Sequence, residues 1–283
     1  MSERRSFVAD LDARQRAMLA EMGVRVWAPK ASAAAEAACT GEPVQPAQPE
    51  PAPPRPLAQA APVRVAPSTP AAAVPPRETA VVLAADPALR PQGIDQMDWE
   101  GLRQAVAGCQ ACPLHRGRTN TVFGTGDVSA DWMVVGEAPG ENEDLQGEPF
   151  VGAAGQLLDR MLQAVGRSRQ GQGAQGVYIA NVLKCRPPAN RNPQPPEIAQ
   201  CEPFLVRQVA MLRPRLILAM GRFAVQTLLG STEPIGRLRG QVHRYQGVPV
   251  VVTYHPAYLL RNPIDKRKAW ADLCLAMDTA EAG

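Results

Sequence analysis

The chain has 283 residues, of which 45% are hydrophobic, so it can bury one core of ordinary domain size with length to spare. Its formal net charge of +3 permits a phosphate-rich partner without requiring one. No apolar run reaches the roughly 18 residues that a membrane span needs, and the charged start of the chain does not resemble a secretory signal. We therefore expect a cytoplasmic protein without membrane attachment, in which a C-x-x-C pair is a metal-ligand pair or a redox site rather than a disulfide.

The chain divides into three segments by composition. Residues 1–28 carry apolar side chains at a rough helical period, which predicts a short amphipathic helix. Residues 29–93 are rich in Ala and Pro and hold about half of the 29 prolines. Such a composition cannot offset the entropy of ordering by burial, so we expect a disordered linker. Residues 94–283 alternate short apolar runs with amphipathic stretches, as an α/β domain does.

The third segment contains the predicted strands and helices. Four short apolar runs are typical of buried parallel strands, at residues 132–135, 177–180, 216–219 and 248–253. Stretches with helical spacing lie at residues 153–165, 196–212, 222–229 and 266–277. This order predicts a three-layer α/β/α sandwich around a central, mainly parallel, four-stranded sheet. Ligands bind beyond the carboxyl ends of the strands in such folds, so loop 136–140, Asn181, Gly221 and His255 are expected to meet at one edge.

Four of the six cysteines lie in this domain at positions that suit a metal site. They are Cys109 and Cys112, which form a C-x-x-C pair, together with Cys185 and Cys201. Thiolates drawn from three places along the chain suit an iron–sulfur cubane, and a tetrahedral zinc ion has the same ligand count. The spacing alone does not separate the two metals. In either case we expect the metal to have a structural role.

Several separated motifs resemble one enzyme family. The stretches GEAPGENEDLQGEPFVGAAGQLLDRML, NVLKCRPPANRNPQPPE and YHPAYLLRNP occur in this order, and with the four cysteines they resemble the family-4 uracil-DNA glycosylases, the iron–sulfur branch of that superfamily. The resemblance covers roughly residues 95–280. It implies an enzyme of base excision repair that flips deoxyuridine out of DNA and hydrolyses the N-glycosidic bond, leaving an abasic site. It also implies a [4Fe-4S] cluster on the four cysteines, with zinc as the alternative.

The resemblance assigns uracil recognition to three residues. Phe150 stacks on the flipped ring, Asn181 pairs with O4 and N3–H of uracil, and His255 donates to O2 as negative charge develops there. The Asn181 amide mismatches the amine of cytosine. Each residue also has an ordinary structural interpretation, as a core aromatic, a turn residue and a satisfied histidine respectively.

The loop after the first predicted strand holds further candidate residues. Ala138 and Gly140 leave room for the base and sugar to approach the backbone. They stand where the best-studied branch of the superfamily has an aspartate and a thymine-excluding aromatic, so the means of rejecting thymine is open. Glu137 ranks first for positioning the attacking water, ahead of Glu143 and Asn190, although a helix-capping role for Glu137 is the alternative.

The segment after His255 resembles the wedge that fills the gap left by a flipped base. Leu259 or Leu260 would insert into the duplex, while Arg261 would pair with phosphate. We expect a monomer that binds DNA containing deoxyuridine. Residues 18–27 are faintly similar to the start of the psi subunit of the bacterial clamp-loader complex, so the N-terminal helix is either a docking peptide for a replication or repair protein or a dispensable extension.

Two other classes compete with this interpretation. A non-catalytic iron–sulfur module that binds nucleic acid would keep the cysteines but would not need Asn181, Phe150 and His255 together. A uracil-crosslinking relative would carry a basic insertion of the type Lys-Arg-Arg-Ile-His, and no such stretch follows Phe150. No lysine stands out as a Schiff-base nucleophile, so we expect a monofunctional enzyme without strand cleavage by elimination.

Overall fold

A computed structural model of the chain describes residue 21 and residues 87–282. Apart from residue 21, the predicted N-terminal helix lies outside the described residues, as does most of the predicted linker, so the predicted boundaries at 28 and 93 stay predictions. Within the described part, no helix is long and apolar enough to cross a membrane.

The described residues form six strands and eight α-helices. The strands are β1 (Thr125–Gly126), β2 (Trp132–Gly136), β3 (Val177–Asn181), β4 (Leu216–Met220), β5 (Val242–Tyr245) and β6 (Val248–Thr253). The helices are α1 (Trp99–Gly108), α2 (Glu141–Gln146), α3 (Gly152–Ala164), α4 (Pro195–Leu212), α5 (Arg222–Leu229), α6 (Ile235–Leu238), α7 (Pro256–Arg261) and α8 (Lys266–Ala282).

The strands form one mixed sheet in the order β1-β3-β2-β4-β6-β5. β3, β2, β4 and β6 are parallel, while β1 and β5 pair antiparallel at the two edges. The predicted mixed α/β class is confirmed, but the sheet has six strands where the sequence predicted four. The two edge strands were missed because β1 has only two residues and β5 alternates between exposed and half-buried positions, so neither forms an apolar run.

Two hydrophobic layers cover the sheet. Every residue of β2, β3 and β4 is buried, as expected for parallel strands packed on both faces. Trp132 and Val134 face a layer that includes residues of α3, α7 and α8. Met133 and Val135 face the opposite layer, which includes residues of α4, α5 and α6. The alternation along β2 therefore divides the core into two halves.

The strand register brings the carboxyl ends of the central strands level with one another. Gly136 at the end of β2 pairs with Asn181 at the end of β3. Met220 at the end of β4 pairs with Thr253 at the end of β6. The loops that follow these strands consequently leave the sheet at the same edge, where parallel α/β folds place their ligands.

Candidate active site

A cavity of about 770 Å³ lies at this edge of the sheet. Six residues predicted for the reaction or for uracil binding line it: Glu137, Ala138, Gly140, Phe150, Asn181 and His255. They come from the loop after β2, the turn before α3, the end of β3 and the turn after β6. Residues separated by more than a hundred positions in the chain therefore share one space.

Two glycines allow side chains of the cavity wall to pack directly against the main chain. A Cβ atom added at Gly136 would overlap with Asn181 Oδ1 and with the ring of Phe150, so the amide and the ring both pack on bare backbone there. Gly221 has φ 90°, and a Cβ atom added there would lie 3.2 Å from Cβ of His255. Glycine is required at these positions because the functional side chains approach the main chain closely.

The Phe150 side chain is held in an uncommon backbone conformation. Phe150 has φ 54°, a left-handed value that costs a residue other than glycine about 1–3 kcal/mol. The residue is 5% exposed, and its ring stacks with the His255 ring, with centroids 5.2 Å apart and planes inclined at 25°. The surrounding structure therefore maintains a strained backbone that directs the ring toward His255.

The environment of His255 defines its charge and its tautomer. Burial lowers the pKa of His255 to about 4, and the positive charge of Arg261 acts in the same direction. The ring is therefore neutral near pH 7. Its Nδ1 accepts a hydrogen bond of 3.2 Å from the backbone N–H of Ala257, so the ring proton resides on Nε2. A neutral ring with its proton on Nε2 can donate a hydrogen bond from that nitrogen to an oxyanion.

Glu137 is a carboxylate of the cavity wall whose proton affinity is altered. Burial raises the pKa of Glu137 to about 7, and the guanidinium of Arg222 partly opposes that rise. Among the described residues, none makes a hydrogen bond to its carboxylate. Near neutral pH this group can therefore accept a proton from a bound water.

The two other candidates for positioning water are already engaged. Glu143 Oε2 accepts a hydrogen bond from the backbone N–H of Gly140, and Oε1 accepts one from Val151, both at 3.0 Å. Its carboxylate thus ties loop 136–140 to the Phe150 segment. Asn190 Oδ1 accepts from Arg186 Nε at 2.8 Å.

The wedge prediction needs a correction. Leu259 is fully buried in the hydrophobic layer beside α3 and α8, so it is not available to enter a duplex. Leu260 is 44% exposed, and Arg261 lines the cavity. The helical turn of α7 places consecutive residues on different sides, which turns Leu259 inward and Leu260 outward.

The four predicted metal ligands line a second, smaller cavity together with Arg118 and Lys184. All four thiols are free, and Cys185 and Cys201 are buried. Cys274, on α8, packs instead at the margin of the main core.

Positive and polar groups surround these thiols. Arg118 Nη1 donates to Cys185 Sγ at 3.2 Å, and the backbone N–H of Lys184 donates to Cys201 Sγ at 3.3 Å. Burial raises the pKa of Cys112 to about 11, with neighbouring cysteines adding to the rise. Soft sulfur donors with such neighbours fit a thiolate-held metal group. In the part of the chain that the structure describes, however, no three His, Cys, Asp or Glu side chains are arranged to hold a single metal ion.

A buried lysine connects the two cavities and was missed by the sequence reasoning. Lys184 is almost completely buried, and its Nζ donates to the backbone oxygen of Asn181 at 2.8 Å and to Gln208 Oε1 at 2.6 Å. A loop lysine is normally exposed, so its position between Asn181 and Cys185 was the only signal in the sequence. Arg222, which lines the large cavity near Glu137, was missed as well.

Comparisons with known proteins identify the family of this chain. A model of the uracil DNA glycosylase superfamily matches residues 123–274. The type-4 uracil-DNA glycosylase of Archaeoglobus fulgidus is 45% identical over 166 residues, which cover 56% of this chain and 81% of the relative. That of Pyrobaculum aerophilum is 42% identical over 187 residues, which cover 63% of this chain and 93% of the relative.

A third relative has a similar extent of alignment. The type-4 uracil-DNA glycosylase of Thermotoga maritima is 44% identical over 165 residues, covering 58% of this chain and 83% of the relative. The family resemblance inferred from the motifs is therefore confirmed. The chain belongs to the uracil-DNA glycosylase superfamily and is similar to its type-4 members.

Proposed function

We propose that this uracil-DNA glycosylase flips deoxyuridine out of DNA, hydrolyses the bond between uracil and deoxyribose, and leaves an abasic site without cutting the strand. The observation that carries the proposal is the convergence of the Asn181 amide, the Phe150 ring and a neutral His255 on one cavity. Glu137 lies in the same cavity. A module that only bound nucleic acid would have no need of this combination.

Recognition of uracil rests on Asn181 and Phe150. The amide of Asn181 has one donor and one acceptor group, which match O4 and N3–H of uracil and mismatch the amine of cytosine. Its side chain packs against Gly136 and its backbone oxygen accepts a hydrogen bond from Lys184, so its position is fixed before a base arrives. The flat Phe150 ring offers a stacking surface for the flipped base.

Departure of uracil needs stabilisation of the negative charge that develops on the base. As the C1′–N1 bond breaks, its electron pair moves onto the uracil ring, and the charge spreads to O2. The Nε2–H of His255 is a preorganised donor for that oxygen. Because the ring is already neutral, it needs no change in protonation to perform this role.

Addition of water completes the reaction. The water oxygen forms the new bond to C1′, and one of its protons passes to the Glu137 carboxylate. The raised pKa of Glu137 makes it a stronger base than an exposed glutamate, and it retains a substantial ionised fraction near pH 7. Because Glu143 and Asn190 make other hydrogen bonds, Glu137 is our choice for the water-positioning group.

Arginine side chains at the cavity are well placed to bind phosphates of the DNA backbone. Arg222 and Arg261 line it beside the uracil-reading residues, and no ion pair of theirs is found among the described residues. Guanidinium groups at such positions bind phosphate and orient the strand. Leu260, exposed on the same segment as Arg261, is the residue that would enter the space left by the flipped nucleotide.

The four cysteines would hold a [4Fe-4S] cluster, with zinc as the alternative. When bound, the metal group would supply cross-links between the end of α1, the loop after β3 and α4 rather than a step of the reaction. Cytoplasmic location, a monomeric state and docking through residues 1–28 stay predictions from the sequence.

The test is an assay on a labelled oligonucleotide that contains one deoxyuridine, with thymidine and deoxycytidine oligonucleotides as controls. We expect strand breaks only at deoxyuridine and only after alkali, because the enzyme leaves an intact abasic strand. Binding without alkali-labile sites would support the non-catalytic module instead. A covalent protein–DNA band would support the crosslinking class.

A further inference from the structure

One arginine donates hydrogen bonds to the backbone of the aromatic residue that is proposed to stack on uracil. Arg169, in the loop between α3 and β3, donates from Nη1 to the backbone oxygen of Pro149 at 3.2 Å. From Nη2 it donates to the backbone oxygen of Phe150 at 3.0 Å. Its Nε donates to Asp159 Oδ1 on α3 at 2.7 Å, so three hydrogen bonds fix the guanidinium plane. The Arg169 side chain is only 10% exposed.

The carbonyl that Arg169 holds belongs to the strained residue. Phe150 has φ 54°, and its ring must keep that backbone conformation to lie against His255 and Gly136. Helix α3 also accommodates this geometry, because a Cβ atom added at Gly155 would overlap with the Phe150 carbonyl oxygen. Arg169 and Gly155 thus contact the same strained peptide, one by donating hydrogen bonds and the other by leaving space.

We propose that Arg169 is a positioning residue for uracil recognition, which acts by holding the Pro149–Phe150 backbone in the conformation that presents the Phe150 ring to the flipped base. Arg169 does not line the cavity and would not touch the substrate. Asp159 orients the guanidinium for this task. The inference rests on the proposed function, since it assigns a role within uracil binding.

The same loop offers a matched control. Arg167 lies two residues earlier, donates to the backbone oxygen of Ala174, and places its guanidinium 5.0 Å from the centroid of the Trp132 ring. None of these contacts involves Phe150. If Arg169 only stabilised the loop, replacing Arg167 would produce a similar defect.

The first experiment measures steady-state cleavage of the deoxyuridine oligonucleotide and inhibition by free uracil. Stacking is made with substrate and transition state alike, so its loss raises KM while leaving kcat nearly unchanged. For Arg169→Ala we expect KM and the inhibition constant of uracil to rise about tenfold, with kcat changed less than about threefold. Arg167→Ala should leave both constants near wild type. A fall in kcat with unchanged uracil inhibition would overturn the proposal.

The second experiment asks whether Arg169 acts through Phe150. In a double-mutant cycle, Arg169→Ala should have almost no further effect on uracil inhibition once Phe150→Ala is present. Guanidinium ion at low concentration should restore part of the activity of Arg169→Ala, and Arg169→Lys should be intermediate because it lacks the planar fork. Full additivity of the two substitutions would contradict this inference alone. A wild-type protein that neither cleaves the oligonucleotide nor binds uracil would contradict the proposed function as well.

Discussion

The two cavities of this domain lie on either side of a short segment, residues 181–185, and differ in size and in how burial affects their ionisable groups. The cavity at the sheet edge is about 770 Å³, whereas the cavity among the cysteines is about 10 Å³. The first can admit a base with its sugar and release the product. The second has no room for a base or a sugar. Size alone therefore identifies the cavity at the sheet edge as the one that can take a substrate.

Burial also acts differently on the groups in each cavity. It lowers the pKa of His255 to about 4 and raises the pKa of Glu137 to about 7, which gives a neutral donor and a base near pH 7. Among the cysteines, burial raises the pKa of Cys112 to about 11 and also raises the pKa values of Cys185 and Cys201, so these three thiols depend on a bound metal to become thiolates near pH 7. Burial therefore gives the cavity at the sheet edge a neutral donor and a base, whereas it makes ionisation of the thiols in the other cavity depend on a bound metal.

The largest effect is expected from disrupting the cysteine cavity. Cys185→Ala removes one of four ligands, and we expect loss of the metal and of most folded protein, measured by metal content and circular dichroism. Cys274→Ala is the matched control, because that thiol lies on α8 outside the cavity and should leave metal content unchanged. A stable, fully loaded Cys185 variant would show that this cavity is not the metal site.

The second-largest effect is expected from a substitution in the open cavity, which is the one at the sheet edge. His255→Ala removes the donor to the developing charge on uracil, so we expect the single-turnover cleavage rate to fall roughly 100-fold with metal content unchanged. His243→Ala is the control, since His243 lies on β5 and bonds the backbone oxygen of Leu238. Equal rates for the two variants would remove His255 from the mechanism.

The pH dependence tests the burial argument. Protonated Glu137 cannot accept a proton from water, so the cleavage rate should fall about tenfold per pH unit below pH 7 and level off above it. His255, whose pKa is lowered to about 4, is mainly neutral above about pH 5 and adds little dependence in that range. In Glu137→Gln the rate should be low and independent of pH between 5 and 8, apart from losses at the acid end through unfolding. An unchanged profile in that variant would assign the titration to another group.

The smallest effect on cleavage is expected from two adjacent leucines of α7, which differ in burial. Leu259→Ala empties a core position and should lower the free energy of unfolding by about 2–5 kcal/mol. Leu260→Ala should leave that free energy within about 0.5 kcal/mol and slow cleavage of duplex DNA more than single-stranded DNA. Urea denaturation and paired duplex and single-strand assays measure the two quantities. The opposite pattern would return Leu259 to the wedge.

The sequence was most informative where a pattern is local. The runs of β-branched and apolar residues predicted the four central strands, because a strand that is buried on both faces is apolar along its whole length. The motifs around Glu137, Asn181 and His255 gave the superfamily, which the comparisons confirm. The edge strands β1 and β5 were missed because one is very short and the other is half exposed.

Other features depended on long-range contacts. The hydrogen bond from Arg169 to Phe150 joins residues that are 19 positions apart in the sequence, and the one from Lys184 to Gln208 joins residues that are 24 positions apart. Neither residue has a motif around it that indicates its partner. Leu259 and Leu260 are identical in type and adjacent, so composition could not tell the buried one from the exposed one.

The sequence by itself determined which chemical groups this protein has, the order of its four central strands along the chain, and the family to which it belongs. Only the tertiary structure decided which leucine is exposed, which carboxylate is free, and which histidine nitrogen carries the proton. The physical reason is that propensity and periodicity are properties of neighbouring residues. Burial, hydrogen-bond partners and pKa depend on atoms brought together from distant parts of the chain.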